Sequence, residues 1–442
     1  MSLPEGWAKT SLGAVCSKPQ YGWTSKAAKQ GRIRYLRTTD ISNGKIDWET
    51  VPFCALEPES VEKYQIHKDD VVVSRAGSVG VSIRIEEIPQ QTVFASYLIR
   101  FNPSSAALPK YVEYFLKSHD YWRSISEYSA GIAVPNVNAS KLAEIEFPLA
   151  PLNEQKRIVE KLEKLLGKVE AAQERLDRIP AILKRFRQSV LAAACSGRLT
   201  PDWRESSEID SDTGFPEGWS IVELGSLFPK GGIFDGPFGS NLKSSDYSES
   251  GVRVLRLENV GHLNFIGEKE TYIDTAKYET LKKHTVGEGD IIFASFIADE
   301  IRACILPKLE TMAIAKADCF CLRPNDEVDR KYLVFQLVNR RTYDELVGFV
   351  HGATRPRINT TQLKTLTLPI CSPEEQKEIV RRVEELFKFA DQIEERYKKA
   401  RSYTDKLTQS ILAKAFRGEL VPQDPTDEPA SVLLERISKE KI

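Results

Sequence analysis

The chain repeats itself once, and each copy takes up about half of its 442 residues. LPEGW at 3–7 returns as FPEGW at 215–219, and GIAVPNVNASKL at 131–142 returns as GATRPRINTTQL at 352–363. The spacing between matched motifs increases slightly along the chain. Solenoid repeats have periods of about 20–50 residues. The much longer period here predicts one two-part unit that is duplicated in tandem.

Each copy begins with a part of mixed character. Short β-type runs, such as VVVS at 71–74 and DIIFA at 290–294, are separated by Gly, Pro and Asn, as strand boundaries require. A helix is predicted late in each part, over 108–119 and 329–340. We therefore predict two α+β domains, each about 150 residues long and large enough for its own core.

Each copy ends with a helical part. From residue 154 to 194, apolar residues keep one heptad frame, and the frame returns from residue 379 onward with breaks at Thr404 and Lys414. Pro180 should kink the first helix or split it in two. One such pattern fits a helix packed on a domain core as well as a coiled coil. Two copies favour pairing of the helices with each other, antiparallel, with the two domains held at opposite ends.

The predicted fold class is α+β, with two globular α/β domains separated by two long antiparallel helices that form a coiled-coil spacer, in a tandem pseudo-two-fold repeat. The predicted segments are 1–150 for domain 1, 151–200 for the central helical region, 201–214 for an acidic linker, 215–372 for domain 2, 373–422 for the C-terminal helical region, and 423–442 for a tail with one short helix.

Charge and composition narrow the class of protein. The net charge is −1, so the chain as a whole is not basic, although residues 151–200 hold 11 Lys/Arg against 6 Asp/Glu (11 − 6 = +5). DNA contacts must then come from local patches. The seven scattered cysteines predict reduced thiols in the cytoplasm. No apolar run reaches the roughly 18 residues of a membrane helix, and the first residues lack a signal-peptide pattern.

Motifs that carry chemistry are missing from the sequence. We find no GxxxxGK[ST], no HExxH, no GxSxG and no NPPY-type segment. The glycine-rich stretch at 230–244 lacks the spacing of a phosphate-binding loop and is interpreted as an ordinary loop. No catalytic residue and no metal site is predicted. These observations favour a protein that binds other molecules and positions them, while partner proteins supply the catalytic chemistry.

Taken together, the motifs resemble the specificity subunit of type I restriction–modification enzymes, of the enterobacterial type IA-like group. The resemblance covers the whole chain. It rests on LPEGW at 3–7, PLNEQKRIVEKLEKLL at 151–166, IPAILKRFRQSVLAAACSGRLT at 179–200, EEQKEIVRRVEELFKFAD at 374–391 and LTQSILAKAFRGEL at 407–420. The helical segments are the more specific part of the resemblance. The globular parts match only in a few short motifs, such as the PEGW openings.

The resemblance implies a DNA-binding role in a complex. Each domain would be a target recognition domain that reads one half of a bipartite, asymmetric site on double-stranded DNA. The helices would set the gap and bind two methyltransferase (M) subunits, with docking near 195–215 and 415–435. Two restriction/motor (R) subunits would complete a cytoplasmic complex. S-adenosylmethionine, ATP and Mg²⁺ would bind the partners, and no cofactor would bind this chain, which is not itself an enzyme.

Candidate DNA-contacting side chains have the donors and acceptors that base edges and phosphates need. In domain 1 they are Arg32, Arg34, Arg37, Thr38, Thr39, Asn43, Ser74, Arg75, Ser78, Asn136 and Asn138. In domain 2 they are Lys243, Arg253, Arg256, Asn259, Ser295, Arg302, Arg355, Arg357 and Asn359. Each arginine fits a surface ion pair equally well. Asn138 and Asn359 match across the copies, which favours a loop-shaping role.

Two other classes of protein remain open at this stage. One is a cytosolic coiled-coil scaffold whose globular ends bind proteins; salt-dependent DNA binding would separate it from a DNA reader. The other is a self-sufficient DNA methyltransferase or nuclease, against which the missing motifs argue.

Overall fold

A computed structural model of the chain describes residues 3–129, 136–206, 208–350 and 356–440. The chain divides into two compact units: unit 1 is residues 1–177 with 398–442, and unit 2 is residues 178–397. Each unit contains one of the two predicted α+β domains. The borders between the units lie inside the helical segments, so each helical segment is divided between the units.

Domain 1 is built from short strands and helices. Its strands are β1 (Ala8–Ser11), β2 (Gln20–Tyr21), β3 (Ala27–Ala28), β4 (Arg34–Leu36), β5 (Phe53–Cys54), β6 (Val71–Ser74), β7 (Ser82–Arg84), β8 (Thr92–Phe94), β9 (Leu98–Phe101) and β10 (Glu146–Leu149). Its helices are α1 (Thr38–Ile41), α2 (Val61–Tyr64), α3 (Pro109–Phe115), α4 (His119–Ser129) and α5 (Ala139–Glu144). One sheet has the order β2-β9-β6-β7, another has the order β3-β5-β4-β8, and β1 pairs with β10.

Strand β6 shows how the domain is layered. Alternate side chains of a strand point to opposite faces of its sheet. Val71 and Val73 accordingly pack into one core with helix α3, while Val72 packs into a second core with Leu36 and Phe94. A strand that is buried on both faces reads as a continuous apolar run, which explains VVVS.

The central helical region is two helices rather than one. Helix α6 (Leu152–Leu176) ends just before α7 (Ile179–Ala194), and Pro180 lies in the first turn of α7. Proline is tolerated there because the first N–H groups of a helix have no partner within it. The predicted effect of Pro180 is confirmed as a split.

Domain 2 repeats the plan of domain 1. Its strands are β11 (Ser220–Glu223), β12 (Ile233–Phe234), β13 (Tyr247–Ser248), β14 (Val252–Leu255), β15 (Tyr272–Ile273), β16 (Thr285–Val286), β17 (Ile291–Ala294), β18 (Ala303–Ile305), β19 (Ala313–Ala315), β20 (Cys319–Leu322) and β21 (Thr367–Ile370). Its helices are α8 (Thr275–Leu281), α9 (Arg330–Val338), α10 (Arg340–Val350) and α11 (Thr360–Lys364). The sheets have the orders β12-β20-β17-β18 and β13-β15-β14-β19-β16, and β11 pairs with β21.

The C-terminal helical region is one helix of 44 residues, α12 (Pro373–Phe416). A short helix, α13 (Ala430–Glu440), follows in the predicted tail. Residues 373–397 of α12 belong to unit 2, and residues 398–416 belong to unit 1. None of the helices in the described ranges is long and apolar enough to cross a membrane.

In unit 1, α6 pairs with the end of α12. Residues Leu162 and Val169 of α6 share a core with Ile411 and Phe416 of α12. The amide of Gln173, further along α6, donates a hydrogen bond to Asp405, earlier in α12, at 2.9 Å. Rising residue numbers on one helix meet falling numbers on the other, so the pair is antiparallel. The same core includes Phe115 and Phe147 of domain 1, so the helices pack both on each other and on the domain.

In unit 2, α7 pairs with the beginning of α12 in the same way. Val190 and Ala194 share a core with Ile379 and Val383. Arg187, earlier in α7, forms ion pairs of 2.7 and 2.9 Å with Asp391 and Glu394, later in α12. The predicted antiparallel pairing is therefore confirmed within each unit.

A tryptophan–glutamate hydrogen bond fastens each domain to its helix. The indole N–H of Trp7 donates to Glu154 at the start of α6, and that of Trp219 donates to Glu375 at the start of α12, both at 3.0 Å. These residues come from the repeated PEGW and EQK motifs. The next residue in each helix, Gln155 or Gln376, is also buried and hydrogen-bonds to the backbone of its domain.

The segment predicted as an acidic linker, 201–214, and the residue before it make specific contacts in unit 2. Thr200, just before the linker, is buried and donates to Glu375 at 2.7 Å, and Asp202 in the linker forms an ion pair with Arg382 of α12. In unit 1, the residue after α12 that makes the similar bond is Gln423, which donates to Glu154 at 2.8 Å. The polar stretch after each helix is therefore packed against the beginning of another helix.

Candidate nucleic-acid interface

Three loops of domain 1 meet at one place. They are the turn after β6, which carries Arg75, the turn between β8 and β9, which carries Tyr97, and the segment before α5, which carries Asn136. The backbone N–H of Arg75 donates to the carbonyl of Tyr97 at 2.9 Å, and the N–H of Val137 donates to the carbonyl of Arg75 at 3.1 Å. Main-chain hydrogen bonds thus fix the three positions relative to one another.

Two of the three side chains are joined to each other. Arg75 donates from Nε to the side-chain oxygen of Asn136 at 3.3 Å. Its guanidinium lies 4.9 Å from the ring centre of Tyr21. Tyr97 is 59% exposed, which is unusual for a large aromatic side chain.

Domain 2 has the same arrangement of loops. The N–H of Ser295 donates to the carbonyl of Asp318 at 2.9 Å, and the N–H of Ile358 donates to the carbonyl of Ser295 at 3.0 Å. Phe296 pairs with Arg357 in a β-bridge, as Ala76 pairs with Asn136 in domain 1. We call the two sets the three-loop clusters: Arg75, Tyr97 and Asn136 in domain 1, and Ser295, Asp318 and Arg357 in domain 2.

The side chains of the second cluster are connected differently. Arg357 forms an ion pair of 3.3 Å with Asp318, whose carboxylate also accepts a hydrogen bond from the hydroxyl of Ser295 at 3.3 Å. Asp318 has a backbone φ of 73°. That left-handed conformation suits Asp better than most residues, and Tyr97 has no such φ.

A basic hollow adjoins the second cluster. It has a volume of about 400 Å³ and is lined by Arg256, Leu257, Glu258, Arg302, Lys316, Ala317 and Asp318. The ammonium of Lys316 donates to the hydroxyl of Tyr247 at 2.6 Å and lies over its ring. Arg302 donates to the carbonyl of Leu257 at 2.8 Å, so it holds the wall of the hollow in place.

Several of the residues proposed from the sequence belong to the interior. Ser74, Arg253, Asn259 and Ser295 are all buried, with exposed fractions between 1% and 7%, and have hydrogen-bond partners inside the domain. A side chain that is enclosed in this way cannot reach a base edge. We therefore correct the expectation for these four residues and assign their side chains to the fold.

Other candidates are on the surface but are held by neighbours. Arg32 pairs with Glu57, which raises the pKa of Arg32 and lowers that of Glu57. Arg34 lies over the ring of Phe53 and donates to the carbonyl of Val51.

Arg37 precedes α1, which contains Thr38 and Thr39, and its hydrogen bond with Asp40 raises the pKa of the guanidinium. Arg256 takes the equivalent position in domain 2, where its N–H donates to Asn259. The two arginines thus share a turn-forming role.

The matched asparagines cap helices. The side chain of Asn138 accepts from the N–H of Lys141 at 2.9 Å, and that of Asn359 accepts from the N–H of Gln362 at 2.8 Å. This is the ordinary N-cap interaction, and it agrees with the loop-shaping alternative. Asn43, Ser78 and Lys243 are exposed. Arg355 lies outside the described residues.

Tyr97, Asp318, Lys316 and Tyr247 were missed by the sequence reasoning. Tyr97 and Asp318 occupy equivalent positions of the two copies. Comparing the copies position by position could have found them. Within the described ranges, no group of three His, Cys, Asp or Glu side chains could hold a metal ion. The expected location of S-adenosylmethionine, ATP and Mg²⁺ on partner subunits stays a prediction.

Comparisons with known proteins agree with the repeat. The family model described as "Type I restriction modification DNA specificity domain" matches residues 4–181 and again residues 216–400. The specificity subunit of the StySPI type I restriction enzyme of Salmonella potsdam is 32% identical over 472 aligned positions, which cover 99% of this chain and 96% of the relative. The EcoKI specificity subunit of Escherichia coli K12 is 31% identical, with the same shares covered.

Solved structures show a similar fold. A chain from a study of the assembly and conformational transition of a type I restriction–modification system matches with a TM-score of 0.67. It covers 95% of this chain and 100% of its own, at 18% identity. The HsdS subunit of Thermoanaerobacter tengcongensis matches with a TM-score of 0.55, over 95% of this chain and 98% of its own, also at 18% identity. The predicted two-domain α+β layout is confirmed.

Proposed function

The chain belongs to the family of type I restriction–modification DNA specificity subunits, and from this premise we propose that domains 1 and 2 each read one half of a split DNA site. The observation that carries the proposal is the pair of three-loop clusters. Their backbones are built alike, but the side chains that they carry differ. Two similar scaffolds with different side chains suit two different DNA half-sites. A DNA site with two identical half-sites would instead need two identical sets of side chains.

The gap between the half-sites is set, in this proposal, by the helices. The antiparallel pairs of α6 and α7 with α12 support it, because a packed helix pair has a fixed rise of about 1.5 Å per residue. The number of helical residues then specifies a distance, as protein geometry fixes half-site spacing in dimeric DNA binders.

The chemistry belongs to partners in this proposal. Two methyltransferase subunits, carrying S-adenosylmethionine, modify an adenine in each half-site, and two motor subunits use ATP and Mg²⁺ to cut unmodified DNA. The chain itself is not catalytic. The proposed docking segments, 195–215 and 415–435, follow α7 and α12. Trp203, in the first of these segments, is 42% exposed and offers an aromatic contact.

The test is to express this chain with its own methyltransferase partner in a host that lacks other adenine methylation. Adenine methylation is then mapped on the genomic DNA, with the partner expressed alone as the control. We expect one split motif, with one modified adenine in each half and a constant gap. A purified complex that produces no motif would contradict the proposal and would favour a scaffold with protein-binding ends.

A further inference from the structure

The two three-loop clusters differ at all three of their positions. Domain 1 has Arg, Tyr and Asn at 75, 97 and 136, and domain 2 has Ser, Asp and Arg at 295, 318 and 357. Each cluster contains one arginine, but the arginine comes from different loops. The oxygen that holds it also changes, from the amide of Asn136 to the carboxylate of Asp318.

Contacts to DNA phosphates would not require different residues at equivalent positions of the two domains. Phosphate contacts position a protein on DNA without reading sequence, so both domains can use the same residues for them. Arg37 and Arg256, which occupy equivalent positions and share a backbone turn, are the kind of matched pair that both domains can use alike. Residues that read bases must instead differ between two domains that read different half-sites, as those of the clusters do.

The geometry of each arginine suits a base edge. Arginine recognises guanine through two parallel hydrogen bonds to O6 and N7, and this requires a guanidinium held in one orientation. Arg75 uses Nε for Asn136, which leaves its two terminal nitrogens for a ligand. Arg357 uses one terminal nitrogen for Asp318, which leaves Nε and the other terminal nitrogen. The side chain of Arg357 is 47% exposed, so these donors are accessible.

We propose that Arg75 and Arg357 are the guanine-reading residues of domains 1 and 2, and that Asn136 and Asp318 are the positioning residues that orient them. The proposal rests on the proposed function, because it assigns residues within the same interface. It predicts that each half-site contains a guanine on one strand whose identity depends on a single arginine. It also predicts that the two arginines act on different half-sites.

The first experiment measures base discrimination in the complex with the methyltransferase partner. Once the wild-type motif is known, Arg357→Ala and Arg75→Ala are mapped in the same host. Each should lower discrimination about 5- to 150-fold at one guanine of one half-site, the range for loss of a bidentate contact, and leave the other half-site unchanged. Arg340→Ala and Arg123→Ala, which break surface ion pairs with Asp344 and Asp120, are the matched controls and should leave the motif unchanged.

The second experiment identifies the atom that is read. Duplexes that carry 7-deazaguanine at the assigned position lack the N7 acceptor. They should bind the wild-type complex more weakly than unmodified DNA, and they should bind the Arg357→Ala complex no differently. A uniform loss of affinity on all sequences, with a shallower dependence on salt, would mean a phosphate contact and would overturn the proposal.

The third experiment tests the positioning role. Asp318→Ala should reduce discrimination at the same guanine as Arg357→Ala, with no change in the salt dependence of binding. Asp318→Asn keeps an oxygen for the guanidinium and should restore most of the discrimination. Melting temperatures confirm that each variant is folded. Unchanged motifs in both arginine variants would overturn the inference while leaving the proposed function intact, whereas absence of any wild-type motif would contradict the proposed function itself.

Discussion

At the scale of single residues, the repeated motifs fasten the domains to the helices. Trp7 and Trp219 each give their indole N–H to a glutamate in the first turn of a helix. Glu154 and Glu375 are nearly inaccessible to solvent, so each carboxylate depends on its protein donors for hydrogen bonds. This explains why PEGW and EQK occur together in both copies, although they are far apart in the sequence.

Removing one indole N–H tests this account. Trp219→Phe keeps an aromatic ring but takes a donor from Glu375, and it should lower the free energy of unfolding by about 1–3 kcal/mol, the cost of an unsatisfied buried group. Urea unfolding of the purified protein measures the effect. Trp203→Phe, at a partly exposed ring in the same unit, is the control and should change little. Equal effects of the two substitutions would show that the hydrogen bond does not matter.

The raised pKa of Glu154 makes the free energy of unfolding depend on pH in a predictable direction. Burial raises its pKa above the usual value, against the opposing effect of its bonds from Trp7 and Gln423. The folded state therefore holds this proton more tightly than the unfolded state. The stabilising contribution is full below the unfolded pKa of 4.5 and is lost as the pH rises through the folded pKa. Relative to Glu154→Gln, the wild type should lose stability as the pH rises from 4.5, and the difference should then become constant.

Glu378 provides the comparison of opposite sign. Its bonds with Arg381 and Arg382 lower its pKa to about 2. Its contribution is therefore present above the unfolded value of 4.5 and is lost as the pH falls through about 2. Relative to Glu378→Gln, the wild type should gain stability as the pH rises from about 2 through 4.5 and then level off, by a small amount because its partner Arg381 is exposed to solvent. Differences of the same sign for both residues would contradict these pKa assignments.

At the scale of elements, hydrophobic periodicity predicted the helices well. The heptad frame identified α6, α7 and α12, and Pro180 identified the break, because both signals are local in the sequence. The frame did not show that these helices also pack on the domains. The heptad frame places residues such as Leu162, Leu165 and Val190 at core positions and leaves out Leu166 and Leu191. Both of the latter are nevertheless buried, since the apolar surface of each helix contacts a domain as well as a partner helix.

The stability that α6 gains by packing on domain 1 can be measured by changing two of its leucines, one at a time, to alanine. Leu162 is fully buried in the core of unit 1, whereas Leu176 is at the partly exposed end of α6. Leu162→Ala should lower the free energy of unfolding by about 2–5 kcal/mol, as for other buried leucines, and Leu176→Ala should cost less. Chemical unfolding provides both values. Similar costs would indicate a helix that pairs without being packed on its domain.

The three-loop clusters were the least predictable elements. Arg75, Arg357 and Asn136 were recognised as candidates from residue type alone. Their neighbours Tyr97 and Asp318 were not, because contacts between loops that are distant in the sequence depend on strand order, which periodicity does not reveal. Burial was misjudged for Ser74 and Asn259 for the same reason. The polar residues that shape a turn and those that face a ligand have similar composition, and only the fold separates them.

At the scale of the whole molecule, helix length is the quantity to vary. One added helical turn near Ala171 or Ile393 should change the gap between half-sites. A four-residue insertion adds roughly 6 Å of helix, against about 3.4 Å per DNA base pair, so we expect a change of one to two base pairs. Because α6 near Gln173 faces Asp405, an insertion after Ala171 needs a matching one near Asp405 to keep the helix register.

Methylation mapping of the insertion variants measures the gap directly. The half-site sequences should stay the same, since the three-loop clusters are not altered. The same four residues inserted in the exposed turn at Gly44 of domain 1 are the control and should leave the gap unchanged. If the variant with insertions after Ala171 and near Asp405 recognised half-sites with an unchanged gap, the helices would not set the spacing.

Pro4 packs against Gly418 in the same way as Pro216 packs against Gly197. A Cβ added to Gly418 would come within 2.3 Å of Pro4, and one added to Gly197 would come within 2.4 Å of Pro216, so the same close approach occurs at two points. At the second point a short stretch of chain joins Gly197 to Pro216, whereas at the first point Pro4 and Gly418 are far apart in the sequence. The two contacts are therefore equivalent places at which the chain can be opened or joined. A permuted chain, joined at its ends and opened within 201–214, should fold and melt like the original.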